Sequence, residues 1–435
     1  MKKVLIITYY WPPSGGAGVQ RMLKFVKYLT EFGIEPIVIT VDEKKASYQL
    51  TDKSLLKDIP DNIRIIKTNT FEPFEFYKLF GRKKEIPHSG FANESNPGLV
   101  QKAMRFIRGN FFIPDARKGW NKYAYKAALE VLKTENIDAI ITSSPPHSTQ
   151  VLGLKLKKLS SLPWIVDLRD PWTDIYYYKQ MLHTAIAKNI DAKYEKDVLE
   201  NSDAIMVVSQ DIKRIFASKT TKNISDKIHV IPNGFDEEDF EIERIENRNE
   251  FSITYTGTFA DIYVVDAFLE AFKKITETHN DVNLKVKFIG KVTGNLIEKT
   301  EQYNLSNYFS FKPYVPHNES VKALLSSTVL LMVIPQMEKN EGILTGKLFE
   351  YLGSEKPIIC IGPTHGDAAN IIENCNAGKT FDYNDVSGIY NYLNNLLISY
   401  KEGKLNEYKS LNVNQYSRRK LTEKLADIIN KSVTE

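Results

Sequence analysis

Short apolar runs alternating with segments of helical period are what most restrict this chain's fold. The stretch "KKVLIITYYWPPSGGAGVQRMLKFVKYLTEFGIEPIVIT" reads as a buried strand, a Pro/Gly loop, an amphipathic helix carrying Met22, Phe25, Val26 and Leu29, and a second strand. That is one βαβ unit. Further strands are expected at Ile63 to Lys67, Ala139 to Thr142, Trp164 to Asp167, Ala204 to Ser209 and His229 to Ile231, with helical segments at Tyr123 to Lys133 and Ile186 to Asn201 among them. The charged stretch "DEEDFEIERIENRNE" interrupts this pattern, which restarts with "FSITYTG", "LKVKFIG", "TVLLMVIP" and "PIICIG" as strands separated by helices. Alternation of this kind predicts parallel sheets covered by helices on both faces, twice over.

The 435-residue length agrees with two domains, because a single core rarely grows that large. The expected division is an N-terminal domain over 1–240, a C-terminal domain over 249–411, and a closing segment over 412–435 that returns to the first domain. Leu421, Leu425, Ile428 and Ile429 give that last segment a helical stripe. Two doubly wound domains predict a ligand cleft beyond the carboxyl ends of their strands. The 42% apolar and 26% charged composition is that of a folded globular protein. A formal charge of +4 is too small to indicate nucleic acid as a partner. Cys360 and Cys375 read as free thiols, no apolar run approaches the ~20 residues that span a bilayer, and no secretory leader opens the chain, so a cytoplasmic location is expected.

Four motifs carry chemistry. "YYWPPSGGAGVQR" joins the first strand to the first helix, where Gly15, Gly16 and Gly18 permit a ligand to approach backbone N–H groups. With Arg21 where a third glycine would stand, it is not the dinucleotide fingerprint, and it has no P-loop lysine. His147, in "ITSSPPHSTQ", stands just past a strand end, where a ligand contact and a structural role are both open. "WIVDLRDPWTD" crowds Asp167, Arg169, Asp170 and Asp174 at another strand end. Asp170 is the candidate to orient or deprotonate an acceptor hydroxyl.

The fourth motif is "EGILTGKLFEYLGSEKPIICIGP". Thr345 is expected to cap a helix that begins at Gly346, buries Leu348, Tyr351 and Leu352, and stops at a left-handed Gly353. Lys347 and Glu350 then share its other face. Free N–H groups and an ammonium suit a diphosphate, and a carboxylate one turn later suits a ribose diol.

Together with "VSQDIKRI", "IPNGFD" and "YTGTF", these pieces resemble the retaining glycosyltransferases of family 4, which have the GT-B fold. The resemblance runs through nearly the whole chain. It implies a nucleoside-diphosphate sugar as donor, held by the C-terminal domain, with Glu350 on the ribose and Gly15 and Gly16 at the diphosphate. His147 would lie beside the donor sugar, and Lys347 with the N–H groups of Leu344, Thr345 and Gly346 would neutralise the leaving diphosphate. The family usually has seven residues between two glutamates, whereas eight separate Glu341 from Glu350, so Glu341 meets the sugar only if its loop bulges. The family's basic pair early in the second domain is missing, which shifts phosphate charge to Lys347 and Lys291. No cofactor is expected, and with no Asp-x-Asp at a strand end no metal either.

The implied activity is retaining transfer of a hexosyl group to a hydroxyl of a glycan or lipid-linked acceptor in cell-surface polysaccharide synthesis. A nucleotide-sugar epimerase on the same fold and a catalytically silent nucleotide-binding partner are the alternatives. Residues 80–126 interleave Arg82, Lys83, Lys84, Lys102, Arg105, Arg108, Arg117, Lys118 and Lys122 with Phe80, Phe106, Phe111, Phe112 and Trp120, which suggests peripheral contact with the inner face of a membrane.

Overall fold

The computed structural model describes residues 1–48, 50–72, 99–241 and 249–434. It separates into two compact units, Met1–Pro232 with Arg418–Glu435, and Asn233–Ser417. The first carries strands β1 (Lys2–Ile7), β2 (Ile34–Val41), β3 (Arg64–Thr68), β4 (Ala139–Ser144), β5 (Trp164–Leu168), β6 (Ala204–Val207) and β7 (Ile228–Val230). Its helices are α1 (Ala17–Leu29), α2 (Leu99–Phe111), α3 (Asn121–Thr134), α4 (Ser148–Leu159), α5 (Ala185–Asn201) and α6 (Gln210–Ala217). The second unit has β8 (Phe251–Thr256), β9 (Leu284–Ile289), β10 (Phe309–Lys312), β11 (Val329–Val333), β12 (Ile358–Ile361) and β13 (Gly378–Phe381). It also has α7 (Asp266–Thr278), α8 (Gly294–Gln302), α9 (His317–Leu325), α10 (Gly346–Ser354), α11 (Asp367–Asn374) and α12 (Val386–Lys401), after which α13 (Arg418–Thr434) rejoins the first unit.

Both sheets are parallel throughout, in the orders β3-β2-β1-β4-β5-β6-β7 and β10-β9-β8-β11-β12-β13. Strands covered on both faces must be apolar on both, and the near-continuous apolar runs meet that demand. In β1, Leu5 and Ile7 enter one core cluster while Val4 and Ile6 enter the cluster on the opposite face. β11 repeats the device, with Leu331 and Val333 on one side and Leu330 and Met332 on the other. Each such side chain contributes about 1.5–3 kcal/mol by leaving water.

The closing helix begins later than the sequence suggests. Leu421, Leu425 and Ile429 of α13 pack with Met22 and Val26 of α1, and Arg418 Nη2 donates to Gln20 Oε1 at 3.1 Å. Residues 412–417, however, group with the second unit, as do 233–240. The cause is local: Phe235 N–H donates to the Tyr416 carbonyl at 3.2 Å, and Phe235 and Val413 are buried in the cluster beneath α10. Residues 242–248 of the charged stretch, where the division was expected, lie outside the described residues.

Strand order reverses between β1 and β4 in the first sheet and between β8 and β11 in the second. In open α/β sheets the loops beyond the carboxyl ends of strands flanking such a reversal form the ligand crevice. The four motifs fall on those loops or on the neighbouring one after β5.

Candidate active site

In the first unit the loop after β1 ends at Gly16, which precedes α1 at φ 104° and ψ 160° with no capping side chain. That backbone conformation requires glycine, and nothing lies within 4 Å of where a Cβ would project. The turn thus leaves space beside Gly16 at the start of α1. Gly18 serves a different purpose: a Cβ there would sit 1.2 Å from Nη1 of Arg169. Arg169 lies across the start of α1, donating from Nε to the Ser144 carbonyl at 2.9 Å and from Nη2 to the Pro145 carbonyl at 3.2 Å. A guanidinium beside a helix N-terminus adds positive charge to positive dipole, which favours an anion there. The sequence signal for it was the acidic run after β5, read there as a source of carboxylates.

Of that run, Asp167 is structural. It is fully buried, accepts from Arg21 Nε and Nη2 at 3.1 and 2.9 Å, and accepts from Ser143 Oγ at 2.7 Å. Asp174 is tied to Lys219 at 2.6 Å. Asp170 remains at the strand end, where burial raises its carboxyl pKa against the lowering effect of Arg169.

His147 precedes α4, and its ring stacks on Trp172 with centroids 4.5 Å apart and planes 13° from parallel. Burial, helped by the charges of Arg169 and Lys219, pushes its pKa down to about 3, so the imidazole is neutral. Its Nδ1 is buried without a hydrogen-bond partner. Trp172 is held in turn: Nε1 donates to Asp191 Oδ1 at 2.9 Å, and Asp191 Oδ2 accepts from Tyr178 Oη at 3.0 Å. Trp172 adopts φ 35°, a strained value for a bulky residue. The stack joins residues 25 positions apart in sequence, so periodicity gave no sign of it.

In the second unit, Thr345 precedes α10 with extended backbone, but its side chain makes no capping bond and its Oγ1 is buried without a partner. The expected cap is therefore unmade, and the N–H groups at the start of the helix have no capping side chain of their own. Lys347 Nζ donates to Tyr255 Oη at 2.5 Å and approaches the Thr258 carbonyl at 3.4 Å. Its methylenes cover Gly257, where a Cβ would sit 2.7 Å from Cε. Burial pushes the Lys347 pKa down to about 8, with Glu350 opposing the shift. Leu348, Tyr351 and Leu352 fill the buried stripe as expected. Gly353 does not end the helix: it faces Phe240 and Phe235, a Cβ there would come within 2.7 Å of a Phe240 ring carbon, and Glu355 takes the left-handed position at φ 57°.

Glu350 Oε1 lies 3.8 Å from His317 Nδ1, while His317 Nε2 lies 3.1 Å from Asp239 Oδ2. Lys291 follows Gly290, whose backbone packs on Gly257, so its backbone adjoins the loop after β8 that Lys347 covers, while its side chain is exposed. Glu341 is exposed, and its carbonyl accepts from Asp367 N–H at 2.7 Å. The loop bearing it is pinned by buried Asn340, whose Nδ2 donates to the Pro335 carbonyl and to Tyr383 Oη, both at 2.9 Å. Leu344, Thr345, Gly346, Lys347 and Glu350 are thus grouped on one helix start, and Gly15, Gly16, His147 and Asp170 belong to the strand ends of the first unit. Among the described residues no group of three His, Cys, Asp or Glu side chains is arranged to hold a metal ion.

Two family models match consecutive parts of the chain: Glycosyltransferase Family 4 over residues 87–239 and Glycosyl transferases group 1 over 236–416. The chain belongs to the family 4 glycosyltransferases. Similar solved structures include HepE from Anabaena in complex with UDP, at 12% identity and TM-score 0.60 over 99% of this chain and 100% of that one. A glycosyltransferase from Rickettsia africae aligns at 14% identity and TM-score 0.58 over 100% and 99% of the two chains. WaaG, a glycosyltransferase involved in lipopolysaccharide biosynthesis, aligns at 14% identity and TM-score 0.55 over 98% and 99%. No curated protein matches. At these identities the likeness establishes the fold, and this family 4 glycosyltransferase has the GT-B architecture of two Rossmann-like units.

Proposed function

We propose that this glycosyltransferase moves a hexosyl group from a nucleoside-diphosphate sugar to a hydroxyl of a glycan or lipid-linked glycan, with retention at the anomeric carbon, in cell-surface polysaccharide synthesis. The observation that carries the reading is the start of α10, where uncapped N–H groups, the orphaned Thr345 Oγ1 and the Lys347 ammonium lie together. Such an array suits a diphosphate by charge and by hydrogen bonding. The UDP bound by HepE supports a nucleoside diphosphate as its ligand. Glu350 would take the ribose, Lys291 would add charge at the phosphates, and Glu341 would reach the sugar. Gly15, Gly16 and Arg169 would offer positive potential at the start of α1.

Departure of the diphosphate leaves negative charge on an oxygen, and Lys347 with the helix N–H groups would stabilise that charge without a metal or cofactor. With no carboxylate assigned as nucleophile, the acceptor would attack on the face the diphosphate leaves. Its hydroxyl proton would pass to the departing phosphate oxygen, while Asp170 orients that hydroxyl. Neutral His147 would donate or accept one hydrogen bond to the sugar. The protein would work in the cytoplasm, at the inner face of the membrane when the acceptor is lipid-linked.

A thermal-shift panel of nucleoside diphosphates and their sugars tests the donor, since a ligand at about 100 times its dissociation constant adds about 2.7 kcal/mol of stability. NMR of the product tests the mechanism. An inverted anomer contradicts retention, and a donor sugar altered with no acceptor present indicates an epimerase instead.

A further inference from the structure

Of the segment 80–126 expected at a membrane, Arg105, Arg117 and Trp120 are buried, and Phe80, Arg82, Lys83 and Lys84 lie outside the described residues. Among the described residues no helix is long and apolar enough to cross a membrane. The charge that the proposed reaction leaves unused lies inside the first unit instead, on α5.

That helix buries two carboxylates one turn apart, Asp191 and Glu195, each 2% exposed. They grip successive residues of the turn that follows Asp170. Asp191 Oδ1 accepts from Trp172 Nε1 at 2.9 Å, and Glu195 accepts from Thr173 Oγ1 at 2.6 Å and from Thr173 N–H at 3.3 Å. Lys219 Nζ donates to both Glu195 oxygens at 2.7 Å and to Thr173 Oγ1 at 2.8 Å, and pairs with Asp174 at 2.6 Å. Glu195 thus has a cation. Asp191 has none among the described residues, and its second oxygen accepts from Tyr178 Oη at 3.0 Å. Burial raises the Asp191 pKa to about 6, against the hydrogen bonds from Trp172 and Tyr178 and with the help of Glu195 and Asp115.

Both neutral donors to this carboxylate are themselves stacked on histidines. Trp172 covers His147, and Tyr178 covers His183 with centroids 4.2 Å apart and planes 18° from parallel. The φ of 35° at Trp172 is a conformation that persists only where the surroundings over-determine it, and Asp191 and Glu195 supply that constraint from one helix face. We infer that Asp191 is a positioning residue for the transfer: by anchoring the Trp172 indole it holds the strained turn after Asp170 and fixes the plane of the His147 ring. The inference rests on the reading that His147 lies at the donor sugar and Asp170 at the acceptor.

The anchoring is read without substrate, by NMR of the full chain carrying isotope-labelled histidine, with the His147 signal identified by its loss in His147→Asn. In the wild type this ring should stay neutral, in one tautomer, from about pH 8 to about pH 5. In Asp191→Ala and in Trp172→Phe it should take up a proton near pH 6.5, as a hydrated imidazole does. Loss of a negative charge alone would lower a histidine pKa, so a rise reports lost positioning. Arg169 and Lys219, the charges that act on His147, are present in every variant. Asp191→Asn can still accept from Trp172 and donate to Tyr178, so it should retain the wild-type signal and most of the turnover. Turnover is read as release of nucleoside diphosphate from the nucleotide sugar that stabilises the protein most. It should fall about tenfold or more in Asp191→Ala and Trp172→Phe with donor KM within about twofold, and the double variant should be no slower than Trp172→Phe alone. Trp172→Phe keeps a stacked ring and carries the test if Asp191→Ala does not fold. A His147 signal unchanged in these variants, or a loss of turnover in His147→Asn with none in them, overturns the inference. Wild-type turnover in His147→Asn overturns instead the reading on which it rests.

Discussion

Lys347 Nζ lies 2.5 Å from Tyr255 Oη and 4.2 Å from the centre of the same ring. Tyr255 Oη donates onward to the Thr258 carbonyl at 2.8 Å, so the phenol is fixed and accepts the ammonium. The second unit therefore holds a half-buried cation in place by neutral groups, beside an uncapped helix start. A cation so placed is costly until an anion arrives.

That cost makes nucleotide binding depend on pH. The Lys347 pKa of about 8 lies below the ordinary 10.5, so the empty protein sheds this proton as pH rises through 8, whereas a bound diphosphate favours keeping it. Affinity for a nucleoside diphosphate should be level from pH 7 to about 7.5 and fall above 8. Calorimetric titrations between pH 7 and 9.5 should show this decline for the wild type and none for Lys347→Met.

Tyr255→Phe removes the acceptor for Lys347 without removing the ring. A hydrogen bond to a charged group is worth about 1.5–3 kcal/mol, so turnover at saturating donor should fall roughly tenfold or more. Nucleotide affinity should change less, because charge on the leaving diphosphate grows in the transition state. An equal loss in binding and turnover would assign Lys347 to ground-state binding alone.

The sequence made the sheets and α10 legible because their signal is local: apolar runs covered on both faces, and a stripe at helical spacing. Lys347 was legible as a cation at a helix start. Its partner Tyr255 was not, since it stands 92 residues away. Gly353 shows the same limit. A glycine near a helix end suggests a left-handed stop, but the aromatic rings of Phe235 and Phe240 that require its missing side chain come from a remote strap. That strap also moved the expected domain division, because nothing in 233–240 or 412–417 taken singly announces that Phe235 pairs with Tyr416. Trp172 reads as one residue in an acidic turn until its stack on His147 is seen.

The His147–Trp172 stack has a consequence for acid stability. His147 has a pKa of about 3 when folded and about 6.5 when unfolded, so the unfolded chain binds the extra proton between these values. Its contribution is fully present above pH 6.5 and is lost as pH falls toward 3. Between pH 7 and 5 the melting temperature of the wild type should drop more steeply than that of His147→Asn. Parallel curves for the two proteins would mean that this imidazole is free to take up a proton.

Asp167 and Asp170 should separate stability from activity. Asp167→Asn leaves Arg21 buried without its carboxylate and should cost about 3–5 kcal/mol in denaturant unfolding. Asp170→Asn should leave the unfolding midpoint much closer to that of the wild type while lowering turnover. The reverse pattern would move the acceptor role from Asp170 to its neighbour.

The central claim is that the face of α10 bearing Lys347 and Glu350 binds a nucleoside diphosphate, and titrating that ligand into the wild type and Glu350→Gln by calorimetry tests it most directly. A carboxylate accepting from a ribose diol is worth about 1.5–3 kcal/mol, so the substitution should weaken binding roughly ten- to a hundredfold with circular dichroism unchanged. Unchanged affinity in a folded Glu350→Gln protein would contradict the account, and would leave Glu350 with a structural role beside His317 and Lys347.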